Sequence, residues 1–447
     1  MAVRSWLLEG EINAEVLSGA VISTEKGSTG LYYKEILPNG IVVITEEAPL
    51  FMSASIGISL NTGSRYEDPA QAGVSHFIEH ILFKGTHRRT AREISAAIDA
   101  VGGILNASCG KEFTCFYAKV VDKDLPLAVD VLMDMLLNSL FNPDDIEKER
   151  TVILEEIKSI EDSPGDYIFD LYLKSILKDH ALACMTSGDR DSVIKLGRNE
   201  ILSYFEKNYV PSNIVISVAG NIKHEDVLKL VRGYVTDVKG TQHDIPLDAP
   251  VFTGTVDVNF RDCGQVHLSM GYPGISVKDE RRYTGIILDN ILGGTASSRL
   301  FQKIREDLGL AYSVYSFQYN FLDSGLFSFY AGTSAENIKD VINLILAEID
   351  RLCEDGVTDE ELQIAKNYVN GGMLLGLEST SNRMFRIAKS ELVHKRIIPV
   401  EEILEKINLV SGEDVLSLAR SMFNRDRLSI CLLGPVDNNV NFSEFIA

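Results

Sequence analysis

The sequence has 447 residues, of which 45% are hydrophobic and 24% are charged, and its formal net charge is −21. This composition is typical of a soluble globular protein, the length predicts roughly two to three domains, and no stretch approaches the about 18 apolar residues of a membrane span. The negative charge disfavours nucleic acid and anionic membranes as partners; it suits cationic ligands, although solubility alone explains it equally well. Six scattered cysteines without a Cys-x-x-Cys pair indicate a reducing compartment, and we expect a cytoplasmic protein.

The N-terminal segment resembles no targeting signal. Residues 1–30 lack the apolar core of a secretory signal. A transit peptide would be poor in acidic residues, whereas this segment contains Glu9, Glu11, Glu15 and Glu25. We therefore expect an N-terminal extension of unknown role, followed by a first domain that starts at residue 31.

Strand patterns open this first predicted domain. Asn39-Gly40 lies between two apolar runs, which is a strong hairpin signal, and residues 53–61 alternate as a strand does. A polar loop at residues 62–73 leads to a helix. Further along, residues 104–121 are typical of two short strands joined by a turn.

The helix after the polar loop contains the sequence His76-Phe77-Ile78-Glu79-His80. At 3.6 residues per turn, His76, Glu79 and His80 share one side of this helix. The opposite side is apolar and consists of Val74, Phe77, Ile78, Ile81 and Leu82. Two histidines at i and i+4 can bind one zinc ion at about 2.0–2.1 Å, and the glutamate between them can hold and deprotonate a water molecule. This order is the inverted form of the common zinc-peptidase motif. The alternative is a polar helix face with two solvated histidines.

A later helix supplies candidate carboxylates. Residues 142–145, Asn-Pro-Asp-Asp, predict its start. Glu149 and Glu156 lie seven residues apart on its apolar face, whereas Glu155 points away. That face consists of Val152, Ile153, Ile157 and Ile160. Because an unpaired buried carboxylate is costly, either glutamate is a candidate third metal ligand, and the alternative for each is a buried ion pair with an arginine or lysine.

The same pattern of elements starts again after a polar boundary at residues 237–251, at an offset of roughly 210–216 residues. In the repeat of the motif helix, at residues 282–292, Ile286, Asp289 and Asn290 replace the residues that face the metal. The predicted fold is therefore α+β, with two homologous lobes from an internal duplication, each an antiparallel-rich mixed sheet packed with helices. We expect the first lobe to span residues 31–240 and to carry the metal motif, and the second to span residues 250–447 and to lack it.

Together with Phe83-Lys84-Gly85-Thr86, these motifs resemble those of the pitrilysin-type zinc metallopeptidases. Within them, the chain is most similar to the short-chain branch that includes the catalytic subunit of mitochondrial processing peptidase and its bacterial relatives, over roughly residues 31–435. The resemblance implies one Zn²⁺ per chain in a catalytic first lobe, and a second lobe that binds no metal, holds substrate and closes a chamber. The implied zinc ligands are His76, His80 and Glu156, with Glu79 as the general base and Glu149 as a second acidic residue that supports the site.

The resemblance also implies substrate contacts. Asn106 and Ala107 match an edge strand on which an extended peptide would pair, and Arg305 and Tyr312 match a pair that hydrogen-bonds the scissile carbonyl or the adjacent backbone. The long glycine-rich loop of the non-catalytic processing-peptidase partner is reduced here to the two glycines at residues 293–294, which favours the catalytic type.

The function implied by these motifs is a zinc-dependent endopeptidase. It would hydrolyse unfolded peptides or presequence-like segments inside a chamber formed by two chains, either a homodimer or a heterodimer with a related chain. In such a dimer Arg305 and Tyr312 would act in trans on the partner's zinc site. The alternative is a non-catalytic core or partner subunit of the same fold. A purely structural zinc would need a fourth protein ligand, and only three are evident.

Overall fold

Two β-sheets form the framework of the computed structural model, which describes residues 22–27, 30–235, 238, 240, 247–436 and 441–446. The first sheet contains β1 (Ile22–Gly27), β2 (Gly30–Ile36), β3 (Val42–Glu47), β4 (Ser53–Leu60), β5 (Ile104–Cys109), β6 (Thr114–Val121) and β7 (Ile214–Gly220). The second sheet contains β8 (Thr255–Phe260), β9 (Val266–Pro273), β10 (Ala311–Asn320), β11 (Gly325–Thr333) and β12 (Ser429–Gly434).

Helices fill the segments between these strands. Those of the first half are α1 (Val74–Ile81), α2 (Ala91–Asp99), α3 (Leu125–Asn138), α4 (Pro143–Asp162), α5 (Pro164–Leu177), α6 (Arg190–Lys195), α7 (Arg198–Asn208) and α8 (His224–Val235). Those of the second half are α9 (Arg282–Leu292), α10 (Ile338–Asp355), α11 (Asp359–Gly376), α12 (Thr380–His394), α13 (Val400–Leu409) and α14 (Gly412–Met422). A π-helical turn lies at Phe301–Asp307. None of the described helices is both long enough and apolar enough to span a membrane.

The strand order confirms the predicted duplication. The first sheet has the order β1-β2-β3-β7-β4-β6-β5, and the second has β8-β12-β9-β11-β10 when read from its β8 edge. The five strands β3-β7-β4-β6-β5 of the first sheet correspond in order to β8-β12-β9-β11-β10 of the second. In both sets the first pair, β3 with β7 and β8 with β12, is parallel, and the other neighbouring pairs are antiparallel. The fold is therefore α+β with two lobes, as predicted.

The first sheet begins before the predicted domain start at residue 31. Strand β1 pairs antiparallel with β2, so residues 22–27 of the predicted extension add an edge strand to this sheet. Residues 1–21 lie outside the described residues, as do most residues of the predicted boundary at 237–251. The domain limits 31–240 and 250–447 stay predictions.

Each lobe receives one helix from the other half of the chain. Helix α12 packs on β3, β4 and β7 of the first sheet, and α5 packs on β8, β9 and β12 of the second. On β4 the two faces differ accordingly, because the branched side chains of Ile56 and Ile58 enter the core of the first lobe whereas Gly57 faces α12. A Cβ atom at Gly57 would lie 2.4 Å from the Met384 sulfur, so the absence of a side chain allows this close approach. Helices α4 and α11 occupy equivalent places in the two halves, and the exchanged helices α5 and α12 follow them directly along the chain. The exchange is therefore the same in both halves of the internal repeat.

Buried ion pairs and one hydroxyl contact hold each exchanged helix against the sheet of the other lobe. Glu46 on β3 is fully buried and accepts hydrogen bonds from Arg383 and Arg386 of α12, the latter at 3.0 Å. Lys34 on β2 forms an ion pair with Glu391 at 2.8 Å. On the other side, the Tyr172 hydroxyl of α5 lies 3.1 Å from the Ser328 hydroxyl of β11. Removing one partner of a buried ion pair is strongly destabilising, so these contacts hold the two lobes in register.

Helix α4 begins as predicted, with the Asn142 side chain accepting the Asp144 N–H at 3.1 Å. One detail of its predicted apolar face is wrong, because Val152 is 49% exposed. The buried side is centred on Ile146, Ile153 and Ile157. At about 100° per residue, Val152 lies roughly 120° from that centre, beyond the edge of the buried side, and reaches solvent.

Candidate metal centre

Helix α1 presents both histidines of the motif to one point. Its apolar side is fully buried, with Phe77 and Ile78 at 0% exposure in the core of the first lobe. The predicted polar side carries His76, which is 8% exposed, and His80, which is half-buried. Their ring centroids lie 4.6 Å apart. Packing of the apolar side therefore holds the two imidazoles next to each other at the edge of the core.

Helix α4 brings a carboxylate to the same point. The Oε1 atom of Glu156 lies 3.6 Å from Nε2 of His76, and its Oε2 atom lies 3.5 Å from Nε2 of His80. The candidate ligand atoms of the three residues all lie within 4.8 Å of one another. Tetrahedral zinc with bonds of about 2.0–2.1 Å separates its ligand atoms by about 3.3–3.4 Å. The three side chains therefore fit zinc in chemistry, and both carboxylate–imidazole distances come close to this spacing, whereas Glu155 is exposed.

Glu149 occupies a different place on α4. Its side chain is 6% exposed, with Oε1 at 2.7 Å from the Lys84 ammonium and Oε2 at 3.1 Å from Nδ1 of His80. With Nδ1–H of His80 donating to Glu149, the lone pair of Nε2 is directed to the side of Glu156. A carboxylate that holds the second nitrogen of a ligating histidine is a recurrent feature of zinc sites. Of the two alternatives left by the sequence, Glu149 thus has a lysine partner, and Glu156 lies beside both histidines.

The electrostatics of the cluster distinguish the two histidines. Burial, followed by the charge of His80, lowers the pKa of His76 to about 4, so its imidazole is neutral at pH 7. Burial also acts to lower the pKa of His80, but hydrogen bonds and charges from Glu156 and Glu149 outweigh it and raise the value. The hydrogen bond with His80 lowers the pKa of Glu156 against the effect of burial, so Glu156 is ionised. Neutral imidazoles and an ionised carboxylate are the forms that bind zinc, and zinc would replace the proton on His80.

Glu79 lies between this cluster and the edge of the first sheet. It is half-buried, and the backbone N–H of Cys109, the last residue of β5, lies close enough to its carboxylate to lower its pKa. Burial raises this pKa, and the charge of His80 and the Cys109 N–H partly oppose that effect. A carboxylate with a raised pKa has the greater proton affinity that a general base needs.

The predicted substrate residues Asn106 and Ala107 lie on β5, which is the last strand of the first sheet. Among the strands that the structure describes, β5 pairs only with β6. Asn106 is exposed, and its Oδ1 atom accepts the N–H of Ala107 at 2.8 Å. A peptide that paired with this N–H would therefore displace the Asn106 side chain.

Arg305 and Tyr312 lie together in the second lobe. The guanidinium of Arg305 stands 4.8 Å from the ring centroid of Tyr312 and 4.7 Å from that of Phe301. Tyr312 is 74% exposed at the start of β10, the edge strand that corresponds to β5. Within the described parts of the chain, no hydrogen bond, ion pair or ring contact joins this pair to the histidine cluster.

The described part of the second lobe contains no equivalent metal cluster. The described residues contain one group of three or more potential ligands, and it is the group on α1 and α4. In α9 the position of Glu79 is taken by Asp289, whose Oδ1 atom accepts a hydrogen bond from the Ser316 hydroxyl at 2.6 Å. Burial raises the pKa of Asp289 to about 6. The acidic side chain that joins helix to edge strand thus recurs in both lobes, while both histidines are replaced in the second.

Two residues next to the centre carry no clear signal in the sequence. The ion-pair alternative for Glu149 points to no particular lysine, and the structure shows that its partner is Lys84. Glu67 lies in the loop before α1, where its carboxylate accepts hydrogen bonds from two N–H groups at the start of that helix. The available signal was an acidic residue shortly before a glycine that begins a short helix, which is a weak pattern.

Two solved structures define the class of this fold. A protease from Helicobacter pylori superposes with a TM-score of 0.84 at 20% identity, over 91% of this chain and 100% of that one. The peptidase M16 inactive domain from Pseudomonas fluorescens has the same TM-score at 18% identity, over 94% and 100% of the two chains. The fold is thus that of the two-lobed M16 peptidases.

Sequence comparisons define the family. The model described as Insulinase (Peptidase family M16) matches residues 42–190, and the model described as Peptidase M16 inactive domain matches residues 195–369. An uncharacterized zinc protease of Streptomyces coelicolor is 41% identical over 95% of this chain and 94% of its own length. The uncharacterized zinc protease YmxG of Bacillus subtilis is 39% identical over 90% and 97%.

The chain therefore belongs to the insulinase family, peptidase family M16. This confirms the predicted family of zinc metallopeptidases. The narrower similarity to the processing-peptidase branch stays a prediction, as do the roles of the individual site residues.

Proposed function

We propose that this chain is a zinc-dependent endopeptidase with one Zn²⁺ held by His76, His80 and Glu156. The observation that carries the proposal is that one carboxylate lies 3.5–3.6 Å from the Nε2 atoms of two imidazoles, while a second carboxylate holds the outer nitrogen of His80. Three protein ligands leave one position of a tetrahedral ion open, as in catalytic zinc sites. The zinc protease names of close relatives support the same metal.

The side chains of the centre have separate tasks in this proposal. When bound, zinc supplies a Lewis acid that activates water and polarises the scissile carbonyl. Glu79 takes a proton from the attacking water and delivers it to the leaving amine. Glu149 keeps His80 in one tautomer, and Lys84 balances the charge of Glu149. None of these residues forms a covalent bond with the substrate.

An unfolded peptide is the proposed substrate. The free edge of β5 would pair with an extended backbone, which places few demands on sequence. Helix α1, which carries Glu79, packs against β5, and the Cys109 N–H at the end of that strand acts on the pKa of the proposed base. The net charge of −21 favours basic peptides, including presequence-like segments. We also propose the cytoplasm as the compartment, in keeping with six cysteines that are all free thiols.

We propose further that two chains close into a chamber, as a homodimer or with a related chain, and that Arg305 and Tyr312 serve the zinc site of the partner. The exposure of Tyr312 and the lack of contact between this pair and the cluster of its own chain support the arrangement. A mixing experiment tests it. Equal amounts of Glu79→Gln and Arg305→Ala chains, each inactive alone, are unfolded and refolded together. Action in trans restores about a quarter of wild-type activity, because half of the dimers hold one complete site of two; action within one chain restores none.

Metal analysis and peptide cleavage test the function itself. The expected zinc content is about one ion per chain, and it is lost in His76→Ala. Glu155→Gln is the matched control for Glu156→Gln, because the two glutamates are adjacent on α4 and only Glu156 lies at the cluster. A native chain that binds no zinc and cleaves no unfolded peptide would instead favour a non-catalytic partner subunit. The match to a family model named for an inactive domain keeps that alternative open, although it covers residues 195–369 and so neither α1 nor α4.

A further inference from the structure

The start of helix α1 lacks an ordinary cap. The helix has eight residues, and the residue before it is Gly73, which has a φ of 91° and no side chain to offer a hydrogen bond. The first N–H groups of any helix have no partner within the helix, and a helix of about two turns is unstable without outside contacts. The metal ligand His76 lies in this first turn. Its position therefore depends on whatever satisfies those N–H groups.

Glu67 supplies the missing cap from six residues upstream of Gly73. One carboxylate oxygen accepts the Gly73 N–H at 2.7 Å, and the other accepts the Ser75 N–H at 2.8 Å. The Ser75 hydroxyl in turn donates to the Tyr204 hydroxyl at 2.9 Å. Glu67 is only 8% exposed, so water solvates its carboxylate poorly. The two N–H groups and the positive end of the helix dipole stabilise its charge instead.

The segment that carries Glu67 is itself fixed. Two residues earlier, Arg65 makes ion pairs with Glu112 at 2.6 Å and with Asp323 of the second lobe at 2.5 Å. On the other side of the helix start, a Cβ atom at Gly73 would lie 2.6 Å from the backbone oxygen of Ser187, so the backbone there is closely packed. Glu67 is thus a rigid link between the anchored loop and the first turn of α1.

We propose that Glu67 is a positioning residue of the metal centre: its two-pronged contact orients the first turn of α1, and thereby His76, for metal binding. This inference rests on the proposed zinc function. Glu67 touches neither metal nor substrate in this proposal and acts only through the helix. Burial raises its pKa to about 7 against the effect of the two N–H groups and of Lys111, so the test is made at about pH 8, where the carboxylate is ionised.

The test compares Glu67→Gln with Asp68→Asn. Glutamine keeps the shape of Glu67, but its NH₂ group must face one of the two N–H donors. Asp68 is the matched control, because it is exposed and accepts the Ala70 N–H at 2.9 Å in the same loop, so its replacement removes the same charge without touching α1. Zinc affinity is measured by competition with a chelator, and the site geometry by the visible absorption of the Co²⁺-substituted protein.

We expect Glu67→Gln to lower zinc affinity by about ten- to a hundredfold and to shift the Co²⁺ spectrum, with Asp68→Asn unchanged in both. A cap that merely stabilised the fold would lower the melting temperature of the metal-free chain and leave affinity and spectrum as in wild type, which would overturn the inference. If Glu67→Gln does not fold, Glu67→Asp is used instead, because aspartate keeps the charge but is too short to reach both N–H groups. A zinc affinity of Glu67→Asp equal to that of wild type would also overturn the inference. A wild-type chain that binds no zinc overturns the proposed function and this inference together, whereas a zinc-binding wild type beside an unchanged variant overturns this inference alone.

Discussion

Replacing Arg65 by methionine removes one of the charged links between the two lobes. The guanidinium is buried, with a side chain 3% exposed, and it binds Glu112 of the first lobe and both carboxylate oxygens of Asp323 in the second. It also donates to the backbone oxygen of Asp248 at 2.9 Å. Methionine keeps much of the length and apolar volume of the arginine stem, so the change acts mainly on charge and hydrogen bonding.

The expected cost follows from what the substitution leaves behind. Removing one partner of a buried ion pair costs about 3–5 kcal/mol. The Asp323 side chain is 20% exposed, and Glu112 keeps the Leu322 N–H at 3.0–3.1 Å, so we expect the lower end, about 3 kcal/mol. In wild type, Arg65 holds the pKa of Asp323 below its ordinary value against the effect of burial, and that stabilisation is present above the unfolded pKa and lost as the pH falls through the folded value. Without Arg65 the two carboxylates have raised pKa values, so the deficit of the variant should shrink as the pH falls from about 7 to 4.5.

Urea unfolding at both pH values measures this effect. Arg281→Met is the control, because Arg281 pairs with Asp279 at 2.7 Å with a side chain that is 57% exposed, and such a surface pair contributes less than about 1 kcal/mol. A loss in Arg65→Met no larger than that of the control, or a deficit independent of pH, would refute the reasoning.

Two further predictions concern the acidic groups of the two lobes. Asp289→Asn should stabilise the protein at pH 8 by up to about 3 kcal/mol and by little near pH 4. The reason is that the pKa of Asp289 is raised in the folded protein, so its contribution to stability is fully present below the unfolded pKa and is lost as the pH rises through about 6. Urea midpoints across this pH range measure the effect, and a variant less stable than wild type at pH 8 contradicts it. Glu149→Gln should weaken zinc binding by about ten- to a hundredfold in chelator competition, because His80 loses the carboxylate that accepts its Nδ1–H, whereas Glu155→Gln should bind zinc as wild type does. Equal affinities of these two variants would exclude a supporting role for Glu149.

Local sequence patterns suffice for much of this fold and for the two histidines of the cluster, but they leave Glu149 and Glu156 as alternatives for the third ligand. The 3.6-residue period places His76 and His80 on one side of α1, and the same period separates Glu156 from Glu155 on α4. The duplication could be predicted because the order of the elements repeats, and the strand order confirms it. These are short-range regularities, and they need no knowledge of packing partners.

Long-range features could not be predicted in this way. The sequence of an amphipathic helix defines its apolar side but not the sheet on which it packs, so the exchange of α5 and α12 between lobes leaves no local signal. The cap of α1 by Glu67 depends on the left-handed backbone of Gly73 and on how the preceding loop folds back. The exposure of Val152 shows the same limit at smaller scale, since a helical wheel ranks directions but does not define the width of the buried side.

The most direct test of the account is the hydrolysis of an unfolded basic peptide by wild type and by Glu79→Gln, each with its zinc content determined. Glu79 lies on the ligand helix without being one of the three proposed ligands, so the variant should keep about one zinc per chain and lose activity by at least about a hundredfold. Cleavage by Glu79→Gln at the wild-type rate, with equal zinc content, would contradict the assignment of the base and the mechanism built on it.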